Sequence, residues 1–184
     1  EQQSAWVRNF NPLLPDKSQR FPTRSGIYEP LFVYNVMTGE FVPWLATEYK
    51  WSPDATKLTM TVRDGVKWSD GQPFTAKDAA YTFNLLKEHK EFDTQAVWGF
   101  LTGVKAVDDK TVEFSFEQAY TPGFIDLAQQ PIVPEHVWKD VADPVKYTNE
   151  NPVGTGPFTE INMFQNQVYE LGRNPNYWLA GKPY

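Results

Sequence analysis

Hydrophobic and polar residues alternate in several short segments of this chain, and this pattern is typical of half-buried β-strands. It is clearest in residues 57–62, where Leu58, Met60 and Val62 alternate with two threonines. A period of two places every second side chain on the same face of a strand. Similar patterns predict strands at 27–34, 158–163 and 167–172, and a hairpin that joins 104–107 to 111–116 through Asp108 and Asp109.

One segment has the spacing of an amphipathic helix instead. Ala79, Phe83 and Leu86 recur at intervals of four and three, which places them on one helical face. Residues 75–78 resemble a capping box with aspartate in place of glutamate, so the helix should cover 76–89. Shorter helices are predicted at 122–129 and 134–139, each with proline near its first turn. Together these elements favour an α+β fold with mostly antiparallel strands.

The opening segment, 6–24, has no sustained periodicity and contains Asn-Pro, Leu-Pro and Phe-Pro steps. We interpret it as a strand end followed by a long loop. A loop of this length in a compact domain is usually functional or covered by a partner.

Composition narrows the class of protein. A chain of 184 residues is long enough for a real core, and its hydrophobic content of 41% is ordinary for a soluble protein. A net charge of −6 argues against nucleic acid and against an anionic membrane surface as partners. No stretch approaches the 18 apolar residues of a membrane span, and residues 1–4 lack the features of a signal peptide.

Cysteine is absent, which removes disulfides, thiolate nucleophiles and thiolate metal sites together. Aromatic content is high, at 16% with 7 tryptophans, and most of these rings must fill a core. A protein that binds sugars or peptides by stacking would use a few of them at its surface.

Catalytic signatures are lacking. His89 and His136 are the only histidines; we expect His89, near the end of an exposed helix, to interact with the helix dipole or with solvent, and we assign His136 a structural role. No serine-hydrolase elbow, zinc-peptidase motif or phosphate-binding glycine loop occurs, and the carboxylates belong mainly to turns and caps. The sequence therefore predicts no catalytic residue, no metal site and no cofactor.

Five short motifs carry a family resemblance when taken in order. They are Tyr-Glu-Pro-Leu at 28–31, Pro-Trp-Leu-Ala at 43–46, Val-Arg-Asp-Gly-Val-Lys-Trp at 62–68 with Asp-Gly at 70–71, Gly-Thr-Gly-Pro-Phe at 154–158, and Asn-Pro-Asn-Tyr-Trp at 174–178. In this order and at these separations they resemble the extracytoplasmic solute-binding proteins of bacterial ABC importers. The narrower resemblance is to family 5, the branch that binds oligopeptides, dipeptides, nickel complexes and oligosaccharides.

The resemblance implies a periplasmic-binding-protein type II-like fold, of which this chain would supply the first lobe and its extra subdomain, with the second lobe absent. Residues 1–43 would form the N-terminal part of the lobe I sheet, 44–145 the additional subdomain, and 146–184 the return to lobe I and the start of the hinge crossover. The implied partners are a small solute, a membrane ABC permease and a C-terminal lobe of the same protein. The implied location is extracytoplasmic.

Within the motifs, Glu29 lies in an apolar segment where a buried carboxylate would need partners. We interpret it as a buried structural hydrogen-bonding group, with direct ligand contact as the alternative. The candidate ligand-binding residues combine rings and amides in segments that the resemblance places at the cleft or that lack core periodicity: Trp6, Asn9, Asn11, Phe21, Trp98, Gln129 and Gln130.

Aromatic faces stack on the apolar faces of sugar rings, and amides can both donate to and accept from hydroxyls. The expected function is therefore non-catalytic capture of a neutral oligosaccharide for an ABC importer. An oligopeptide is the alternative within the family, because Arg8, Lys17 and Arg20 could meet a peptide carboxylate. Alternatives of other classes are a carbohydrate hydrolase and a ligand-free interaction module.

Overall fold

The computed structural model describes residues 8–15, 19, 22–165, 168–179 and 181. Two of the candidate ligand-binding residues, Trp6 and Phe21, lie outside these ranges. Within them, strands and helices are both present, and the strand pairs are antiparallel. The predicted α+β class is confirmed.

A small hairpin opens the described strands. Strand β1 (Phe32–Asn35) pairs with β2 (Glu40–Pro43), and Gly39 in the intervening turn has a φ of 73°, a left-handed conformation that glycine adopts at low cost. Residues 36–39 form the turn of this hairpin. Strand β2 itself was not predicted, because it is only four residues long and mostly exposed.

The main sheet has four strands in the order β3-β4-β6-β5. Its members are β3 (Ala46–Trp51), β4 (Lys57–Val62), β5 (Leu101–Ala106) and β6 (Thr111–Phe116). The alternation predicted β4 correctly, since Leu58, Met60 and Val62 are all buried. Strand β3 escaped prediction because four consecutive residues of it are exposed, which leaves no apolar alternation.

Helix α1 (Ala76–Glu88) covers the buried face of this sheet. It begins with the predicted capping box, in which the backbone N–H of Thr75 donates to Asp78 Oδ2 at 2.9 Å and the backbone N–H of Lys77 donates to the Thr75 hydroxyl. The ring of Phe83 meets that of Phe114 edge-on, with centroids 4.9 Å apart. The predicted helix is thus confirmed, with its last residue one position earlier.

Two short helices follow the sheet as predicted, although each is shorter than expected. Helix α2 (Phe124–Ala128) comes directly after a 3-10 turn, and α3 (Glu135–Trp138) follows Pro134. The strands predicted at 158–163 and 167–172 are also confirmed, and they pair with each other as β7 (Phe158–Gln165) and β8 (Val168–Arg173). None of the helices in the described ranges combines the length and the apolar character that crossing a bilayer requires.

The strand predicted over 27–34 is wrong in its first half. Residues Thr23–Ile27 form a tight turn that is closed by the N–H of Tyr28 donating to the carbonyl of Thr23 at 2.9 Å, and regular strand begins only at Phe32. The carbonyl of Ile27 accepts the N–H of Gly156 at 2.9 Å, so this backbone pairs with the 154–156 segment rather than with a neighbouring strand. The apolar run reflects complete burial of Ile27, Tyr28 and Leu31, which does not require strand pairing.

Candidate functional site

Glu29 is a buried carboxylate that receives hydrogen bonds from three aromatic side chains. Its Oε1 accepts from Trp44 Nε1 at 2.8 Å and from the Tyr177 hydroxyl at 3.2 Å, while Oε2 accepts from Trp178 Nε1 at 3.0 Å. The rings of Trp44 and Trp178 meet edge-on, and the guanidinium of Arg63 lies 4.7 Å from the Trp178 ring centroid. We call Glu29, Trp44, Tyr177 and Trp178 the Glu29 hub.

The electrostatics of the hub follow from its burial. Removal from water raises the pKa of Glu29 above its ordinary value, while the donors from Trp178, Trp44 and Tyr177 oppose that rise. Only 1% of Glu29 is exposed. The interpretation of Glu29 as a buried structural hydrogen-bonding group is therefore confirmed, because its oxygens are turned to protein donors rather than to a solute.

Two glycines hold the hub's neighbourhood together by close backbone contact. A Cβ atom at Gly154 would lie 2.1 Å from the Ile27 carbonyl oxygen, and one at Gly156 would lie 2.4 Å from that of Gly26. No other residue type fits at this separation. The 154–158 segment therefore has a structural role and leads into strand β7.

A surface groove of about 330 Å³ lies beside these elements, between the 24–30 segment, residues 94–95 and the C-terminal end of α2. We call it the main groove. Polar side chains dominate its lining: the amides Gln95, Gln129 and Gln130, the hydroxyl residues Ser25 and Thr94, and the charged residues Arg24 and Asp126. Apolar contact comes from Val33, Ile125, Pro30 and Pro131.

The charged groups of the main groove have opposite signs. Arg24 donates from Nε to the carbonyl of Pro12 at 3.0 Å, which fixes the guanidinium against the opening loop. Partial burial raises the pKa of Asp126, and the nearby carboxylate of Asp93 adds to the rise. The lining therefore holds one fixed cation, one carboxyl group that ionises less readily than usual, and several groups that can donate and accept.

Of the candidate ligand-binding residues that the structure describes, Gln129 and Gln130 line this groove, and Asn9, Asn11 and Trp98 do not. Gln129 is exposed, and Gln130 is half-buried with its Nε2 donating to the carbonyl of Pro131 at 3.1 Å. Their adjacent position after α2 points both amides to the same surface region.

Asn9 and Asn11 lie together but inside the protein. The amide Nδ2 of Asn11 donates to the carbonyls of Pro144 and Tyr147, both at 3.0 Å, and its Oδ1 accepts from the N–H of Leu13. Asn9 accepts the backbone N–H of Asn11, which forms a local Asx turn. Asn11 has no exposed surface, so its amide anchors the opening loop instead of facing a cleft, contrary to expectation.

Trp98 lies apart from the main groove. Its indole Nε1 donates to the carbonyl of Phe83 at 2.7 Å, and the ammonium of Lys87 sits 4.5 Å from the ring centroid. The ring is half-buried against helix α1 and is absent from the groove lining. A ligand contact by Trp98, Trp6 or Phe21 stays a prediction.

Sequence reasoning missed five polar residues of the groove: Arg24, Ser25, Thr94, Gln95 and Asp126. Ser25 carries one signal that only the backbone reveals, a φ of 67° in the left-handed region that non-glycine residues seldom adopt. Arg24, Thr94 and Gln95 lie in irregular segments and Asp126 lies in helix α2, and polar residues at such positions are also typical of an ordinary surface, so the sequence does not distinguish them.

The two histidines have structural surroundings. His136 Nε2 lies 2.7 Å from Asp70 Oδ2, which links α3 to the loop before α1. The ring of His89 packs against Phe92 at the end of α1. Neither histidine lines the main groove.

The chain is similar in sequence to proteins of one known family. The family model described as bacterial extracellular solute-binding proteins, family 5, middle part, matches residues 40–184. An ABC transporter peptide-binding protein of Brucella ovis is 32% identical over 181 residues, and the nickel-binding periplasmic protein of Escherichia coli is 32% identical over 189 residues. Each alignment covers 95% of this chain, and the chain spans about a third of these relatives' length, 33% and 34% respectively.

A solved structure gives the same picture. A periplasmic oligopeptide-binding protein of Thermotoga maritima, crystallised with mannohexaose, superposes with a TM-score of 0.85 at 32% identity. The superposition covers 93% of this chain and 32% of the other.

Proposed function

The chain belongs to family 5 of the bacterial extracellular solute-binding proteins, and on that premise we propose that it captures a small solute for an ABC importer without chemically changing it. The two relatives and the solved structure compared above are named as peptide-, nickel- and oligopeptide-binding proteins. The main groove supports this proposal, because its lining includes three amides and the hydroxyls of Ser25 and Thr94, which can hold a solute by hydrogen bonds.

We further propose that the solute is a neutral or nearly neutral oligosaccharide. The observation that carries this is the lining of the main groove, where three amides and two hydroxyls outnumber one cation and one weakened acid. Amides match sugar hydroxyls because they donate and accept at once. The related Thermotoga maritima protein with bound mannohexaose supports the same ligand class.

A peptide is the second candidate, and one observation favours it. Arg24 brings a permanent positive charge to the main groove, where it could meet a peptide carboxylate. The guanidinium already donates to the carbonyls of Pro12 and Leu14, so it has fewer donors left for a ligand. The limited donor capacity of Arg24 therefore favours an oligosaccharide over a peptide as the ligand.

The proposed architecture has two lobes, with this chain as the N-terminal share of the first. Residues 1–43 would contribute to the lobe I sheet, 44–145 to the additional subdomain, and 146–184 to the return and hinge crossover. A second lobe would close over the solute, a hinge motion biased by contacts on both sides. The proposed location is extracytoplasmic, and the proposed protein partner is the membrane permease of the importer.

A ligand panel tests the function. The natural gene product that contains these 184 residues is titrated with β-linked glucose and mannose oligomers and with di- to pentapeptides, and tryptophan fluorescence is followed. Saturable binding of the sugars with none of the peptides is the expected result. Peptide binding without sugar binding would reverse the ligand class and leave solute capture intact, whereas turnover of any sugar would overturn the non-catalytic reading.

A further inference from the structure

A second groove continues the main groove on the far side of Asp126. It has a volume of about 410 Å³, and its walls include Gln95 and Asp126, which also line the main groove. Its other functional side chains are two aromatic rings, a carboxylate and an amide, which belong to Phe100, Tyr120, Glu117 and Gln118. We call it the side groove. Since two residues belong to both walls, the grooves meet at Gln95 and Asp126.

An exposed aromatic ring distinguishes the side groove from the main groove, where the ring of Tyr28 is fully buried. Tyr120 is 40% exposed, and its ring lies 5.0 Å from that of Phe100. Phe100 in turn stacks on Phe116 with an interplanar angle of 7°. A Cβ at Gly123 would lie 2.8 Å from the Phe100 ring. Only glycine at this position therefore lets the Phe100 ring pack where it does. An exposed ring supported from behind is a rigid stacking surface.

The backbone between the grooves has an unusual conformation. Ala96 has φ and ψ of 53° and 40°, which are left-handed values that cost an alanine free energy. Asp93 stabilises this turn, because its carboxylate accepts the backbone N–H groups of Val97 at 2.8 Å and Trp98 at 3.1 Å. The strained turn sets Gln95 at the junction and Ala96 in the side groove, and Ser25 in the main groove shares the left-handed conformation.

We propose that the two grooves form one elongated binding site, in which Tyr120 and Phe100 provide a ring-stacking subsite for a distal sugar unit. The main groove holds one end of the oligomer by its amides, and the chain runs past Gln95 and Asp126 to the aromatic surface. Glu117 and Gln118 lie where they can accept and donate to the hydroxyls of the stacked unit. This inference rests on the proposed capture of an oligosaccharide.

The length dependence of binding tests the second subsite. Calorimetry on the natural gene product compares dimers with hexamers of β-linked glucose and mannose, for the wild type and for Tyr120→Ala. We expect Tyr120→Ala to weaken hexamer binding by about two- to tenfold, the range of one aromatic contact, and to leave dimer binding unchanged. Gln118→Ala, at an exposed position, should give a smaller loss with the same dependence on length.

Tyr49→Ala is the matched control, because Tyr49 is similarly exposed, at 47%, and lies outside both grooves. Thermal unfolding of each variant checks that the fold persists, and Gln118→Ala carries the test if Tyr120→Ala does not fold. Equal losses for dimer and hexamer, or no loss for either, would overturn the subsite while leaving oligosaccharide capture in place. A wild type that binds no oligomer would overturn the proposed function and this inference with it.

Discussion

The carboxylate of Glu29 and the indole of Trp178 are joined by a hydrogen bond of 3.0 Å between residues 149 positions apart in the chain. Trp44 and Tyr177 donate to the same carboxylate. Three of the motifs recognised in the sequence, at 28–31, 43–46 and 174–178, therefore converge on one buried group. Their joint occurrence follows from a shared structural task.

Trp178→Phe should lower the free energy of unfolding by about 1–3 kcal/mol, the usual cost of leaving a buried hydrogen-bonding group without one of its partners. Trp51→Phe is the control, because the indole of Trp51 is half-buried and has no hydrogen bond within the described part of the chain. Urea denaturation of the natural gene product measures both. Equal losses in the two variants would show that the Glu29 contact contributes little.

Glu29 should also give stability a specific dependence on pH. Because burial raises its folded pKa above the ordinary value of 4.5, the folded state holds this proton more tightly than the unfolded chain does. The contribution of Glu29 to the free energy of unfolding is therefore fully present below its pKa in the unfolded chain, and it is lost as the pH rises through its pKa in the folded protein. The advantage of the wild type over Glu29→Gln should therefore shrink as the pH increases from about 4.5 toward neutrality.

Glu113→Gln provides a control of opposite sign for this pH experiment. Hydrogen bonding from Lys105, with a second contribution from Lys57, lowers the pKa of Glu113. Its stabilisation is therefore present above the unfolded pKa and is lost on acidification. Unfolding free energies are measured from pH 4 to pH 8 for the wild type and both variants. As the pH rises, the stability advantage of the wild type should shrink relative to Glu29→Gln and grow relative to Glu113→Gln. The same pH dependence in both comparisons would contradict the assigned pKa directions.

Gly154→Ala should destabilise the protein by about 3 kcal/mol or more, since the added methyl group would overlap backbone atoms that cannot move aside cheaply. Gly103→Ala is a matched control, because a Cβ there would meet no atom within 4 Å and the φ is not left-handed. Thermal unfolding compares them. A small effect at Gly154 would mean that the 154–156 and 26–27 segments separate easily.

Gln129→Ala should weaken oligosaccharide binding by about two- to tenfold, as expected for the loss of one or two hydrogen bonds. Its control is Gln72→Ala, which removes an exposed glutamine that lines neither groove. Fluorescence titration with mannose oligomers measures the affinities. Unchanged binding in Gln129→Ala would place the ligand away from the main groove.

Local features of the fold could be predicted and distant ones could not. The capping box at Thr75 and Asp78 lies within one helical turn, so it can be recognised from four consecutive residues of the sequence. The role of Asn11 depends on carbonyls 133 and 136 residues away, and an Asn-Pro step by itself suggests only a turn. Burial of a segment by a distant backbone, as at Ile27, imitates strand periodicity.

The candidate site was less predictable than the fold for the same reason. Gln129 and Gln130 stood out as an adjacent pair, whereas Ser25, Gln95 and Asp126 gain their position from backbone geometry and from packing between separate elements. Trp98 was singled out because its segment lacks periodicity. Its partner, the carbonyl of Phe83, lies on a helix face that no short motif specifies.

The wide sequence separation within the Glu29 hub has a consequence for folding kinetics. Ordering a contact between residues 149 positions apart requires closure of a very long chain segment, whereas α1 can nucleate within its own few turns. Protection of the Trp178 indole from hydrogen exchange should accordingly appear later during refolding than protection of the α1 amides. The same three motifs that identify the family would then be joined in one of the last steps by which this part of the protein reaches its native state.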